Sequence, residues 1–209
     1  MSGGNGTVGP VDCDAIAADL DRCRGDLLAL LDGATPAQLR APSDGTRWTN
    51  EQLLFHMVFG FLVVRRLLPL VRIMSVAPGW VDRGFAALLD AARVPFHWVN
   101  YAGSCGGALV FDHRRMGHLC DRTIESLVAS LRHEPEERLG RGMRFPPSWD
   151  PYFEPRMTLA AVYAYPVLHY EHHRRQLTLG RGRGSDGSSA SNRCSTCSAH
   201  WAAQSASSW

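Results

Sequence analysis

The sequence predicts an all-α protein: a four-helix bundle with an extra short helix and a disordered C-terminal tail. Three observations carry that expectation. Four segments repeat their apolar residues at helical spacing. Several of these segments have a recognisable end, with Thr49 and Thr158 as N-caps and Gly33 as a stop. Beyond Gly180 the composition turns to Gly, Ser and Ala with almost no aliphatic bulk, too little to build a core. The expected organisation is a flexible N-terminus over 1–10, the bundle over 11–179 and the tail over 180–209.

Composition excludes several function classes. The 209 residues suffice for one domain with a full core, and 45% hydrophobic and 20% charged residues are ordinary for a soluble protein. A net charge of +2 gives no general attraction to nucleic acid or to a membrane surface. All 22 cationic side chains are Arg, which removes any mechanism built on a Schiff-base lysine. The first ten residues lack the basic start and apolar run of a signal peptide. The most apolar stretch, Leu54 to Met74, is broken by His56, Arg65, Arg66, Pro69 and Arg72. Its longest clean run, Met57 to Val64, is far short of the roughly 20 residues of a membrane span. Six cysteines in a chain of this length are no dense disulfide framework. Cys13, Cys23, Cys105 and Cys120 fall in helical patterns, as small apolar residues do. A reduced, cytoplasmic protein acting on a small molecule is expected.

The first helix is expected over 11–31, where Ile16, Leu20, Cys23, Leu27 and Leu30 make one stripe. Residues 34–48 read as an ordered loop ending in a capping box, Thr49 with Gln52. On the second helix His56 points inward with Leu53, Gly60, Val63 and Leu67, and Gly60 leaves room beside its imidazole. Leu54, Val58 and Phe61 make the opposite face apolar too, so a homodimer contact or an extra helix should cover it. Pro69 should kink this helix or mark its last turns. Between 75 and 103, Val81–Ala92 suits a short helix and Val94–Trp98 an aromatic link.

The third long helix is expected over 105–132, with Cys105, Leu109, Met116, Cys120, Thr123, Leu127 and Leu131 inward. Residues 133–156 form a loop, rich in proline and aromatics towards its end, that could close over a pocket. The fourth helix, capped by Thr158 and ending by Gly180, turns Leu159, Val162, Tyr165, His169, His173 and Gln176 inward. Pro166, one turn before His169, frees a backbone carbonyl.

His169 and His173, four apart, share one helix face, where two imidazoles can grip one ion and His56 can supply a third ligand. Burying imidazoles is costly unless their nitrogens are satisfied, and a metal satisfies them. The alternative is a hydrogen-bonded core histidine at each position. His172 lies at the edge of the apolar face and Glu171 on the far side, so no metalloprotease-like glutamate base is present. His113 and His118 diverge. Asp112 is a candidate acceptor for a ligand imidazole, or a salt-bridge partner of a nearby Arg. Arg174, off the ligand face, is a candidate for an acidic group at the rim. Cys194, Cys197 and His200 are half of a zinc-site spacing with nothing to close it.

Trp48-Thr49-x-x-Gln52-x-x-x-His56, together with His169-x-x-x-His173-Arg174-x-Gln176-Leu177, resembles the DinB-like (DinB/YfiT) superfamily over about residues 12–178. The resemblance implies a bundle of up-down-down-up topology, often dimeric. It also implies a divalent metal at one end, held at the positions of His56, His169 and His173. The activities it implies are thiol S-transfer, with mycothiol or bacillithiol as cosubstrate, or related maleylpyruvate isomerase chemistry. Three neutral imidazoles suit Zn, Ni, Fe and Cu alike. A metal-dependent thiol transferase or hydrolase, a non-catalytic metal-binding or stress-response bundle, and a plain helical dimer without metal all remain open.

Overall fold

The computed structural model describes residues 11–179. The expected flexible N-terminus and tail, with Cys194, Cys197 and His200, lie outside the described residues. The elements are α1 (Cys13–Gly33), α2 (Pro36–Arg40), α3 (Asn50–Met74), α4 (Gly79–Ala91), α5 (Arg93–Val110), α6 (His113–Arg132), α7 (Glu136–Leu139), β1 (Gly142–Arg144), β2 (Arg156–Thr158) and α8 (Leu159–Arg174).

Helices α1, α3, α6 and α8 form the bundle, each packed against two of the others in the ring order α1, α6, α3, α8. Side-chain pairs fix their directions. Arg65 and Arg72 of α3 bond Ser126 and Ser130 of α6, so these helices run parallel. Arg22 and Arg174 pair with Glu171 and Asp26 respectively, which makes α1 and α8 parallel as well. Arg24 reaches Asp121 while Leu28 meets Gly117, so α1 and α6 are antiparallel. The topology is up-down-down-up.

Local chemistry starts the key helices where the sequence places them. Thr49 and Gln52 make both bonds of a capping box on α3. Thr158 accepts from the Ala161 N–H and caps α8. The helices then bury Leu20, Cys23 and Leu27 of α1, Met57 and Phe61 of α3, Met116, Cys120 and Leu127 of α6, and Leu159 and Tyr163 of α8. Each such large side chain contributes roughly 1.5–3 kcal/mol of transfer free energy.

The connections differ from the sequence expectation. The loop over 34–48 holds the short α2, which has its own capping box of Thr35 and Gln38. Helix α3, by contrast, ends at Met74 with Pro69 in its last two turns, as expected. The aromatic link at 94–98 is the first turns of a full helix, α5. The helix expected over 105–132 is two helices, broken at Phe111 and Asp112. Met116, Cys120, Thr123, Leu127 and Leu131 are buried on α6, whereas Leu109, on α5, is 88% exposed. Periodicity could not reveal the break because α5 is itself apolar, and Cys105 and Leu109 continue the α6 stripe in phase. The loop over 133–156 contains α7 and pairs β1 antiparallel with β2. Asp82 of α4 receives the Arg144 N–H and reaches the Arg144 and Arg156 guanidiniums, tying the hairpin to α4.

Contrary to the sequence expectation, helix α3 is by length and composition long and apolar enough to cross a membrane. It lies in the middle of the protein, against α6, α8 and α5, which accounts for its two apolar faces. An extra helix therefore covers much of it.

Candidate metal centre

The site lies where the first turns of α3 meet the last turns of α8. His56 comes from α3, and His169 and His173 from α8; they are 2%, 8% and 4% exposed. One ring nitrogen from each gathers with the others, all within 4.8 Å of one another, so the three residues could hold a metal ion. Trp48, just before the α3 cap, forms a wall. Its ring stacks on His56 at 4.4 Å and meets His173 edge-on at 6.3 Å.

Hydrogen bonds assign the tautomers of two of the rings. Ser104 of α5 donates its hydroxyl to Asn100 O at 2.8 Å, which leaves its oxygen to accept from His56 Nδ1 at 3.2 Å. Gln176 Oε1 lies 2.6 Å from His173 Nδ1 and can only accept, so this nitrogen is also protonated. Both Nε2 atoms therefore present lone pairs, and they face one another at 3.1 Å. Two acceptors so close repel unless a proton or a cation lies between them. Two nitrogens each bound at roughly 2.0–2.1 Å to one tetrahedral ion stand roughly 3.3 Å apart, so the separation suits a shared ion. His169 Nδ1 is buried without a hydrogen-bond partner. An orphaned imidazole and two facing lone pairs fit a cation.

A proton is a poor substitute. Burial, followed by the neighbouring imidazoles, holds His56 and His173 well below the usual histidine range. Burial lowers His169 to about 4, with His172 adding to the effect. All three are neutral at pH 7, the form in which imidazole binds metals.

Several sequence expectations change at this site. Gly60 makes room for His169 rather than His56: a Cβ there would stand 2.8 Å from His169 Nδ1. Asp112 is no acceptor for a ligand. It caps α6 by accepting from the Arg115 N–H at 2.8 Å, with the Arg115 guanidinium 3.9 Å away. Arg174 points away from the site and pairs with Asp26 at 2.7 Å, so it is not a rim arginine. Glu171 pairs with Arg22 on the far side, as its position suggested.

His172 is half-buried at the rim, its Nδ1 3.2 Å from the Tyr152 hydroxyl. The proline-rich loop closes on this edge, where Asp150 accepts from Tyr165 at 2.8 Å and Phe153 packs on Tyr165. Cavities of about 400 Å³, beside Arg72 and Glu134, and about 640 Å³, beside Leu28 and His118, lie elsewhere.

Sequence reasoning missed Ser104, and it placed Trp48 and Gln176 in the family-like motifs without seeing their roles against the imidazoles. The i, i+3 spacing of Gln176 from His173 was a usable signal. Nothing near Ser104 in sequence marks it.

The family model of the DinB superfamily matches residues 19–177. The chain belongs to the DinB superfamily. Among solved structures, it is similar to YfiT from Bacillus subtilis, described as a probable metal-dependent hydrolase with an unusual four-helix bundle topology. The two share 16% identity over 85% of this chain and 90% of that one, with a TM-score of 0.50. At that identity the likeness shows the fold. No curated protein matches the chain.

Proposed function

We propose that this DinB-superfamily protein is a metal-dependent enzyme of the thiol S-transferase or hydrolase type. His56, His169 and His173 are its ligands for one divalent ion, zinc, nickel or iron. The observation that carries the proposal is the pair of Nε2 lone pairs facing each other at 3.1 Å. When bound, such an ion lowers the pKa of a coordinated water or thiol towards neutrality.

The chain's own residues prepare that chemistry. Ser104 and Gln176 hold two imidazoles in the ligating tautomer. Trp48 shields the site from bulk water on one side, and Tyr152 with His172 offers polar groups at the rim. A thiol would come from a low-molecular-weight cosubstrate, because burial pushes the Cys23 and Cys120 thiols up to about 12. The description of YfiT as a probable metal-dependent hydrolase supports the hydrolytic branch. The substrate in this reading is a small molecule, not nucleic acid or membrane. The location is the cytoplasm, in keeping with the free thiols of Cys13, Cys23, Cys105 and Cys120. A homodimer belongs to the same proposal, supported by the exposed Val94, Trp98, Val99 and Leu109 of α5.

The test is metal analysis of protein purified without chelator, native and His169→Ala. The native protein should carry about one ion per chain and the variant far less. Native protein with neither bound metal nor uptake of added zinc, nickel or iron would overturn the proposal.

The burial of all three histidines favours a second reading, a non-catalytic bundle whose metal is structural or vestigial. Chelation would then lower the melting temperature without removing any turnover of thiols with electrophiles or of hydrolysable esters.

A further inference from the structure

Two bundle helices, α3 and α8, supply all three candidate ligands, yet the side chain that orients His56 comes from α5, outside the bundle. The contact is a relay: His56 Nδ1–H to Ser104 Oγ at 3.2 Å, then the Ser104 hydroxyl to Asn100 O at 2.8 Å, one turn back on the same helix. Ser104 is fully buried. Two further contacts set α5 at this height. Gly107 lies so close to Phe55, the neighbour of His56, that a Cβ there would stand 2.0 Å from the ring. The Tyr101 ring stacks on Trp48 at 6.2 Å, and Trp48 in turn stacks on His56. From 94 to 110 this helix has no Asp, Glu or Arg.

We infer that Ser104 is a positioning residue of the three-histidine site, and that the docking of α5 onto α3 and the binding of metal strengthen each other. The inference rests on the metal site proposed above. Ligation through Nε2 requires the Nδ1–H form of His56, and docked α5 supplies the acceptor for that hydrogen. With α5 displaced, the buried N–H loses its partner and the other tautomer becomes accessible. In return, a cation on Nε2 polarises the ring and makes Nδ1–H a stronger donor to Ser104. Linkage makes the effect reciprocal: the factor by which docking tightens metal binding is the factor by which metal tightens docking.

The experiment uses the full chain. Zinc affinity is measured by competition with a chromophoric chelator for the native protein, Ser104→Ala, Ser104→Thr and Gly107→Ala. Amide exchange over 93–110 is followed with and without zinc. Ser104→Ala should bind zinc about 10–100-fold more weakly, and Ser104→Thr, which keeps the hydroxyl, should recover most of that loss. Gly107→Ala should also weaken binding, although it changes neither a ligand nor Ser104 itself, because its methyl group displaces α5, and Ser104 with it, from α3. Zinc should slow exchange over 93–110 in the native protein and do so less in Ser104→Ala.

The inference is overturned if the native protein binds zinc while Ser104→Ala binds within about 2-fold of it, or while exchange over 93–110 ignores the metal. A purely structural Ser104 would give that first result together with a lower melting temperature of the metal-free protein. Native protein that takes up no metal at all would instead sink the three-histidine reading itself, and this inference with it. Should Ser104→Ala fail to fold, Gly107→Ala and the exchange measurement decide.

Discussion

Gly60→Ala tests the site through a residue that touches no metal. In the middle of α3, alanine alone should stabilise the helix by about 1 kcal/mol over glycine. The new methyl, however, would stand 2.8 Å from His169 Nδ1 and 3.1 Å from Cε1, where ordinary contact begins at 3.4 Å. The ring must therefore retreat by about 0.6 Å, beyond the roughly 0.2 Å tolerance of a metal–ligand distance. It has little space for this. Its centroid lies 4.9 Å from that of His56 and 4.6 Å from that of His173, with Tyr165 beyond at 5.9 Å.

Overpacking costs roughly 1–3 kcal/mol, so the metal-free variant should be less stable than native by roughly 1 kcal/mol. Zinc affinity should fall about 10–100-fold, as for a displaced ligand. The assay is thermal melting of native and variant protein with and without zinc. Zinc at about 100 times the native Kd stabilises native protein by about 2.7 kcal/mol, but a 100-fold weaker binder by only about 0.4 kcal/mol. In a domain of this size each kcal/mol is worth about 2–4 °C, so a gain of several degrees should nearly vanish. A more stable variant with an undiminished zinc shift would refute the reasoning.

Three more outcomes follow from the same geometry. Gln176→Ala removes the acceptor on His173 Nδ1 and should weaken zinc binding about 10-fold or more, while Gln176→Glu keeps an acceptor and should retain most of it, by chelator competition. Metal-free protein should lose stability as pH falls from about 6.5 towards 4. The unfolded chain protonates its histidines over that range, whereas burial keeps His169 neutral down to about 4. Each such histidine costs about 1.4 kcal/mol per pH unit, read as a falling denaturation midpoint; a midpoint flat over that range would count against the burial argument. Asn50→Ala should cost roughly 2–4 kcal/mol in urea melts, because buried Asn50 bonds Gln38 O and both donates to and accepts from Thr178, and the Thr178 N–H would be left without its partner.

The sequence by itself determined what depends on short-range chemistry. The capping box at Thr49 and the cap at Thr158 start α3 and α8 where the residue pattern places them, because a cap involves residues within one turn. The helical period then decides that His56, His169 and His173 face inward. Comparison of Met116, Cys120 and Leu127 with Leu109 shows where that logic stops: all four fit one stripe, yet only the first three are core, because α5 and α6 are separate helices joined without a break in apolar pattern. Which residue stands opposite which was decided by the tertiary structure. Gly60 faces His169, Ser104 faces His56, and Arg174 turns to Asp26, outcomes of packing between segments far apart in sequence. Periodicity fixes the side of a helix a residue occupies, but not the height and rotation at which a neighbouring helix meets it, and hydrogen bonds of about 3 Å depend on both.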